Sequence, residues 1–275
     1  MELLLRWEGR LNNARVRELF GLSPVRASEW IREFRESNPT WTEWDSKAKS
    51  FYPTATFQRC RDGAGTPLFD QEYSFSRYLV LAGFPHGGDR AQTSPIVWAA
   101  YPDLAVPDPS VFSVVLTAAR ERRMVEITYR SMRQPVAHKR LISPHSIIRA
   151  GRRWHVRAYC NQSQGFKDFS LGRIGSIQLQ ANKPAEGSEA EDHSWNELAQ
   201  IKLVAHPGLT RDQAKLIEAE SFSGNKSLMQ SCRQALVNYV IQDLRAATNV
   251  EAQRPPDFQI AVANVKELAQ WLFPA

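Results

Sequence analysis

The sequence predicts an α+β protein built from an N-terminal winged helix-turn-helix, a central small β-barrel and a small C-terminal α+β module. Three observations predict it. Near the start, a short helix and a glycine turn precede a capped amphipathic helix. In the middle, several short alternating segments rich in arginine follow one another over about sixty residues. Towards the end, one strand leads into two helices. At 275 residues, with 43% hydrophobic content, eight Trp and thirteen Phe, the chain has the material for folded cores.

The first block runs to about residue 58. Arg15 to Phe20 reads as a short helix, and Gly21 suits the positive-φ position of a tight interhelical turn. Ser23 is a good N-cap and Pro24 fits the first helical position, where its missing N–H costs nothing. Ala27, Trp30, Ile31 and Phe34 then share one face, leaving Arg26, Glu29, Arg32, Glu33 and Arg35 outside. Residues at the start of such a helix meet base edges, which makes Ser23, Pro24, Val25, Arg26 and Ser28 candidates for DNA contact. Thr40 to Trp44, the turn Asp45-Ser46-Lys47 and Ala48 to Tyr52 form a wing-like hairpin that brings Lys47 and Lys49 to phosphates. The alternative is a small helical domain that only supports dimerisation.

Residues 59–111 read as a connector. Turn clusters at Asp62 to Pro67 and Pro85 to Asp89, with Pro102, Pro107 and Pro109, surround one helix over Asp70 to Ala82.

The second block, 112–181, opens with a helix over Val111 to Arg122. Val125 to Tyr129 alternates as a strand, and Pro144-His145-Ser146 and Asp168 to Ile174 follow. In the run Gly151 to Cys160, a period of two puts Trp154, Val156, Ala158 and Cys160 on one apolar face. His155, Arg157 and Tyr159 fall on the other, offering a charge, hydrogen-bond donors and an aromatic surface suited to phosphates and bases. The plainer reading of that face is an exposed sheet with an arginine lying along it.

Charge follows the same division. Of the net +6, residues 120–180 alone carry +10, with 13 Lys and Arg against 3 Asp and Glu, and the stretches on either side are mildly acidic. A local basic block points to a polyanionic partner, the alternative being a solvated basic face.

Lys183 to Ser194 is polar and acidic and reads as a linker. The third block, 195–275, begins with a strand over Ile201 to Ala205, then helices over Arg211–Glu220 and Leu228–Ala246.

Several function classes are excluded. No apolar run approaches the roughly 18 residues of a membrane helix, and Leu3-Leu4-Leu5 is broken too soon for a signal peptide. Three distant cysteines, Cys60, Cys160 and Cys232, fit a reduced cytoplasmic setting better than a disulfide framework. Six histidines show no metal spacing, and no Walker loop or dinucleotide fingerprint is present, so no cofactor is expected. A Cys160 nucleophile would need a histidine base, but its strand turns it into the core. The chain is not expected to be an enzyme.

Met124 to Leu179 resembles a WYL domain, an Sm-like or SH3-like barrel of bacterial regulators, with Trp154-His155-Val156 where the family has Trp-Tyr-Leu. Arg-Trp-His-Val-Arg-Ala-Tyr followed by Asp-Phe-Ser-Leu-Gly-Arg-Ile resembles the variant in WYL repressors that control anti-phage defence operons of the BREX and CBASS kinds. Trp7 to Asn12, Phe20 to Ser23, Ala27-Ser28 and Lys49 to Tyr52 resemble that subgroup's winged helix, and the last block resembles its dimerising domain. The resemblance implies a ligand pocket of Ser131, His145, Arg157, Tyr159 and Arg173, with Tyr129 and His155 beside them, that accepts a nucleotide or nucleic-acid-like effector. An ion pair of Arg173 with Asp168 is the structural alternative for that arginine.

The expected function is a ligand-responsive, homodimeric repressor on double-stranded DNA bearing an inverted repeat, with no membrane partner. The rivals are a single-strand nucleic-acid-processing enzyme or its accessory subunit, and an activator of identical architecture.

Overall fold

The computed structural model describes residues 1–62, 75–83, 106–150 and 153–273. They divide into two compact units, residues 1–148 with 152–186, and residues 149–151 with 187–275.

In the first unit the Leu3-Leu4-Leu5 run lies in helix α1 (Glu2–Glu8), ahead of the two expected helices α2 (Asn13–Phe20) and α3 (Pro24–Ser37). Asn12 caps α2 by accepting from the Arg15 N–H at 2.9 Å. Gly21 ends it at φ 63°, where nothing crowds an added Cβ, so the glycine is needed for its backbone alone. Ser23 and Pro24 start α3 as their chemistry dictates. Leu4, Leu5, Leu11, Val16, Ala27, Ile31 and Phe57 form this head's core. Trp30 and Phe34 are half-buried at its edge, ring to ring with Phe20 at 5.6 Å and Trp41 at 6.2 Å. Strands β1 (Thr42–Asp45) and β2 (Ser50–Pro53) pair antiparallel as the wing, and α4 (Ala55–Asp62) follows.

Of the connector helix expected over Asp70 to Ala82, the described part is α5 (Phe75–Leu81). The expected turn clusters after Asp62 and after Pro85, with Pro102, lie outside the described residues. Helix α6 (Pro109–Glu121) starts two residues before the expected Val111, because Asp108 caps it, accepting from the Ser110 N–H at 2.7 Å, and Pro109 takes the first position. A proline read as punctuation is a helix start.

Strands β3 (Arg123–Tyr129), β4 (His138–Ala150), β5 (Arg153–Cys160), β6 (Gly165–Ser170) and β7 (Ile174–Pro184) form one sheet in the order β6-β5-β4-β3-β7. A single 3-10 turn, Leu171–Arg173, joins the two edge strands. Among the described residues the edges do not pair with each other, so the sheet is open as paired. Val111, Phe112 and Val115 of α6 share a buried core with Trp7, Phe75, Val125, Ile127 and Ile142. Trp154, Val156, Ala158 and Cys160 point into that core, as a two-residue period requires. Cys160 is fully buried there, its sulfur accepting from Arg140 at 3.6 Å.

The second unit refines one expectation and corrects another. Residues 183–194, expected as a linker, do contain the boundary between the two units, but the segment carries local structure. Ser188 and Glu191 close a capping box on a 3-10 turn, and Asp192 caps α7 (His193–Asn196) at the Trp195 N–H. Acidic residues read as solvating are caps. The helix expected over Leu228–Ala246 is instead strand β9 (Ser227–Arg233), a 3-10 turn and α9 (Val237–Asp243). Leu, Met and Gln favour helix locally, but all seven residues of β9 pair with β8 (Leu198–Ala205), and the sheet overrides propensity. Helix α8 (Arg211–Ser221) matches its expected span to one residue, and β10 (Ala246–Ala247), β11 (Ile260–Val262) and α10 (Val265–Leu268) complete the unit. Its sheet runs β10-β11-β8-β9. No described helix is long and apolar enough to cross a membrane.

Candidate functional site

The winged helix presents its candidate residues to solvent. Ser23, Pro24, Val25, Arg26 and Ser28 on α3 and Lys47 and Lys49 in the wing turn are all exposed. The Ser23 hydroxyl accepts from the Arg26 N–H at 3.3 Å, and the first turn holds no acidic residue, leaving the positive helix end unneutralised by its own sequence. Asn13, at the start of α2, donates to the Ser28 hydroxyl and to the Pro24 carbonyl, both at 2.8 Å, and so fastens the start of α3. Arg26 is held by Glu29 at 2.9 Å and lies over Trp30. In the wing, Asp45 accepts from the Ala48 and Lys47 N–H groups, which holds its carboxyl below the usual range, and Lys49 takes a positive φ of 47°. Asn13 was invisible as a fastener because its partners lie in a different helix.

A second set of polar groups collects on the face of β5 and β6 opposite the core. Their register pairs His155 with Ser170, Arg157 with Asp168 and Tyr159 with Phe166. Asp168, the alternative ion-pair partner considered for Arg173, pairs with Arg157. Arg157 is only 8% exposed and its guanidinium contacts Asp168 at 3.0 Å. Arg173, in the 3-10 turn, is half-buried and forms no ion pair among the described residues. Arg157 thus arrives neutralised, and Arg173 brings its charge to the site.

Around the two arginines, burial pushes the His155 imidazole below its ordinary value of 6.5, with Arg153 and Arg173 adding to that and Asp168 opposing it. Tyr159 donates to Gln164 at 3.0 Å and packs edge-on against Phe166, whose ring also meets His145 at 5.7 Å. His145 in turn sits 2.9 Å from the Ser146 hydroxyl. The structure therefore brings His145, His155, Arg157, Tyr159 and Arg173 around one strand pair. Ser131 stands in the β3–β4 turn, its hydroxyl accepting from the Gln134 N–H at 3.0 Å, and the neighbouring Arg130 N–H reaches the Arg173 carbonyl at 3.3 Å. Tyr129 is buried, and its phenol oxygen accepts from the Ser170 N–H at 3.2 Å, which makes it part of the scaffold under the face. Phe166 and Asp168 were missed as members, although the alternation of β6 carried the signal.

Four helices of the first unit meet at a buried carboxylate. Glu8, fully buried, receives Arg15 of α2 at 2.7 Å, Arg120 of α6 at 3.0 Å and the Tyr78 hydroxyl of α5 at 3.3 Å. Burial, then the Glu8 charge, drives the Tyr78 phenol up. Nearby, a cavity of about 800 Å³ is lined by Trp44 and Lys47 of the wing, Tyr52, Ser113 and Thr117 of α6, and Leu179 of β7. None of the expected ligand residues lines it.

Comparison with known proteins covers all three blocks. Residues 1–62 match the BrxR transcriptional regulator winged helix-turn-helix domain, residues 110–179 the WYL domain, and residues 198–268 the BrxR transcriptional regulator C-terminal dimerization domain. The DNA-binding transcriptional repressor CapW of Pseudomonas aeruginosa is 32% identical over 271 residues, covering 97% of this chain and 89% of its own length. CapW of Escherichia coli strain KTE188 is 33% identical over 271 residues, 96% of this chain and 87% of that protein. CapW of Stenotrophomonas maltophilia is 25% identical over 274 residues, with 99% and 90% covered.

Proposed function

The chain belongs to the CapW family of DNA-binding transcriptional repressors, and we propose that it is a homodimeric repressor whose DNA binding is set by a ligand on the β5–β6 face. The family's members are repressors, not enzymes. The observation that carries the reading is α3: capped, exposed and free of first-turn acid, it sits second in a helix-turn-helix whose partner helix fastens it.

Residues 1–58 read duplex DNA, 59–111 connect, 112–181 sense and 195–275 dimerise. A two-fold dimer implies an inverted repeat. The resemblance to regulators of phage-defence operons makes such an operon the proposed target, repressed in the cytoplasm beside the chromosome. The five-stranded sheet is proposed to curl into a partly open Sm-like or SH3-like barrel, the 3-10 turn bridging its edges.

The effector is a nucleotide or short oligonucleotide. Arg173 supplies a planar fork for a phosphate, while Tyr159 and Phe166 offer faces for a base. Moving a dimer from 99:1 towards 1:99 takes roughly 10⁴-fold preference for one state, shared between two sites.

The test is best made at Arg173. Arg157→Ala would strand Asp168, whose side chain is only 11% exposed, and removing one partner of a buried pair costs about 3–5 kcal/mol. Loss of function there would report the fold. Arg173→Ala breaks no ion pair, so operator affinity stays near wild type while release by added nucleotides and oligonucleotides is lost. If the folded Arg173→Ala protein loses the operator instead, the basic face belongs to the DNA interface and the sensor assignment is wrong.

A further inference from the structure

Val25 is the second residue of α3 and stands 69% exposed on the solvent side of the helix. Nothing among the described residues accounts for it. The other large apolar residues of α3 all pack: Ile31 is buried, and Trp30 and Phe34 are half-buried against aromatic neighbours. A β-branched residue adds nothing to helix propensity, and a first-turn position favours Asp or Glu. Its side chain leans back towards the helix start, beyond the cap. The polar residues around it are committed, Arg26 to Glu29 and Trp30, Ser28 to Asn13. One unattached apolar group thus leads the helix.

We infer that Val25 is a specificity-determining residue that reads the 5-methyl group of one thymine in each half-site. The major groove offers this one apolar feature, and a valine of fixed rotamer is a suitable surface for it. The inference rests on the reading of α3 as the base-contacting helix, and it adds the identity of a base. Its energetic scale is one methyl removed from water, about fourfold in affinity per half-site and about fifteenfold when both half-sites are changed.

The experiment uses the full-length protein and a duplex selected by it from a randomised library. Each thymine is replaced in turn by deoxyuridine, which removes the methyl and keeps every hydrogen bond. Wild type is expected to lose about fourfold at one thymine per half-site. Val25→Ser, at an exposed position, keeps its thermal midpoint, binds the unmodified duplex as weakly as wild type binds the uracil duplex, and ignores the replacement. Val25→Ile restores the sensitivity. Wild type indifferent to every replacement overturns the inference while leaving α3 as reader. Equal sensitivity in Val25→Ser also overturns it, since another residue then sees the methyl. No preference for the selected duplex over a scrambled one removes the reading of α3 and the inference with it.

Discussion

Arg157 and Arg173 show what a sequence conveys about a single residue and what it withholds. Alternation along β5 puts Arg157 on the face away from the core, beside His155 and Tyr159. It says nothing of the cross-strand partner, because register depends on the turn between strands, and that register delivers Asp168 to Arg157. The same environment makes a pH prediction at His155. Its folded pKa lies below the ordinary 6.5, first through burial, so the unfolded chain takes up the proton more readily. The contribution to stability is complete above pH 6.5 and is lost as the pH falls through the folded value. Thermal midpoints of wild type should therefore fall more steeply below pH 6.5 than those of His155→Gln. Parallel slopes for the two proteins would show that His155 titrates alike in both states.

At the scale of elements, legibility followed the source of the stabilisation. Helices α3 and α8 were readable because their caps and apolar periods are local. Strand β9 was not, since its identity comes from pairing with β8. Helix α1 was hidden because a three-leucine run has no period, and its role depends on Leu11, Val16 and Phe57 arriving from elsewhere. The contact between elements most exposed to test is Glu8. It joins α1, α2, α5 and α6 through two arginines and a phenol. A buried carboxylate that loses one charged donor keeps its desolvation cost, so Arg120→Met should destabilise the first unit by about 1.5–3 kcal/mol. Exchanging Glu8 together with both arginines for apolar residues should recover much of that loss, as it removes the buried charge with its partners. Denaturant midpoints of the two variants make the comparison. An Arg120→Met protein as stable as wild type would mean that Arg15 and Tyr78 satisfy Glu8 without it.

Across the whole molecule, the concentration of positive charge between residues 120 and 180 is partly cancelled in three dimensions. Arg120 meets Glu8, Arg123 meets Glu121, Lys139 meets Glu126 and Arg157 meets Asp168. Four of the thirteen Lys and Arg between residues 120 and 180 are paired in this way, so the block remains basic on balance. The DNA-reading work belongs to the winged helix, on the evidence of its domain match and its capped α3. One short helix contacts too few base pairs to single out a site in a genome, which is why the C-terminal dimerization domain matters to specificity. Specific repression then calls for a dimer reading an inverted repeat through two copies of α3. Footprinting the full-length protein on the DNA upstream of its own gene, with light scattering on the same complex, measures both the sites and the stoichiometry. One dimer is expected to protect two palindromic half-sites, spaced by roughly 34 Å or a multiple of it. A monomer on the DNA, or binding that tolerates any sequence and prefers single strands, would contradict it.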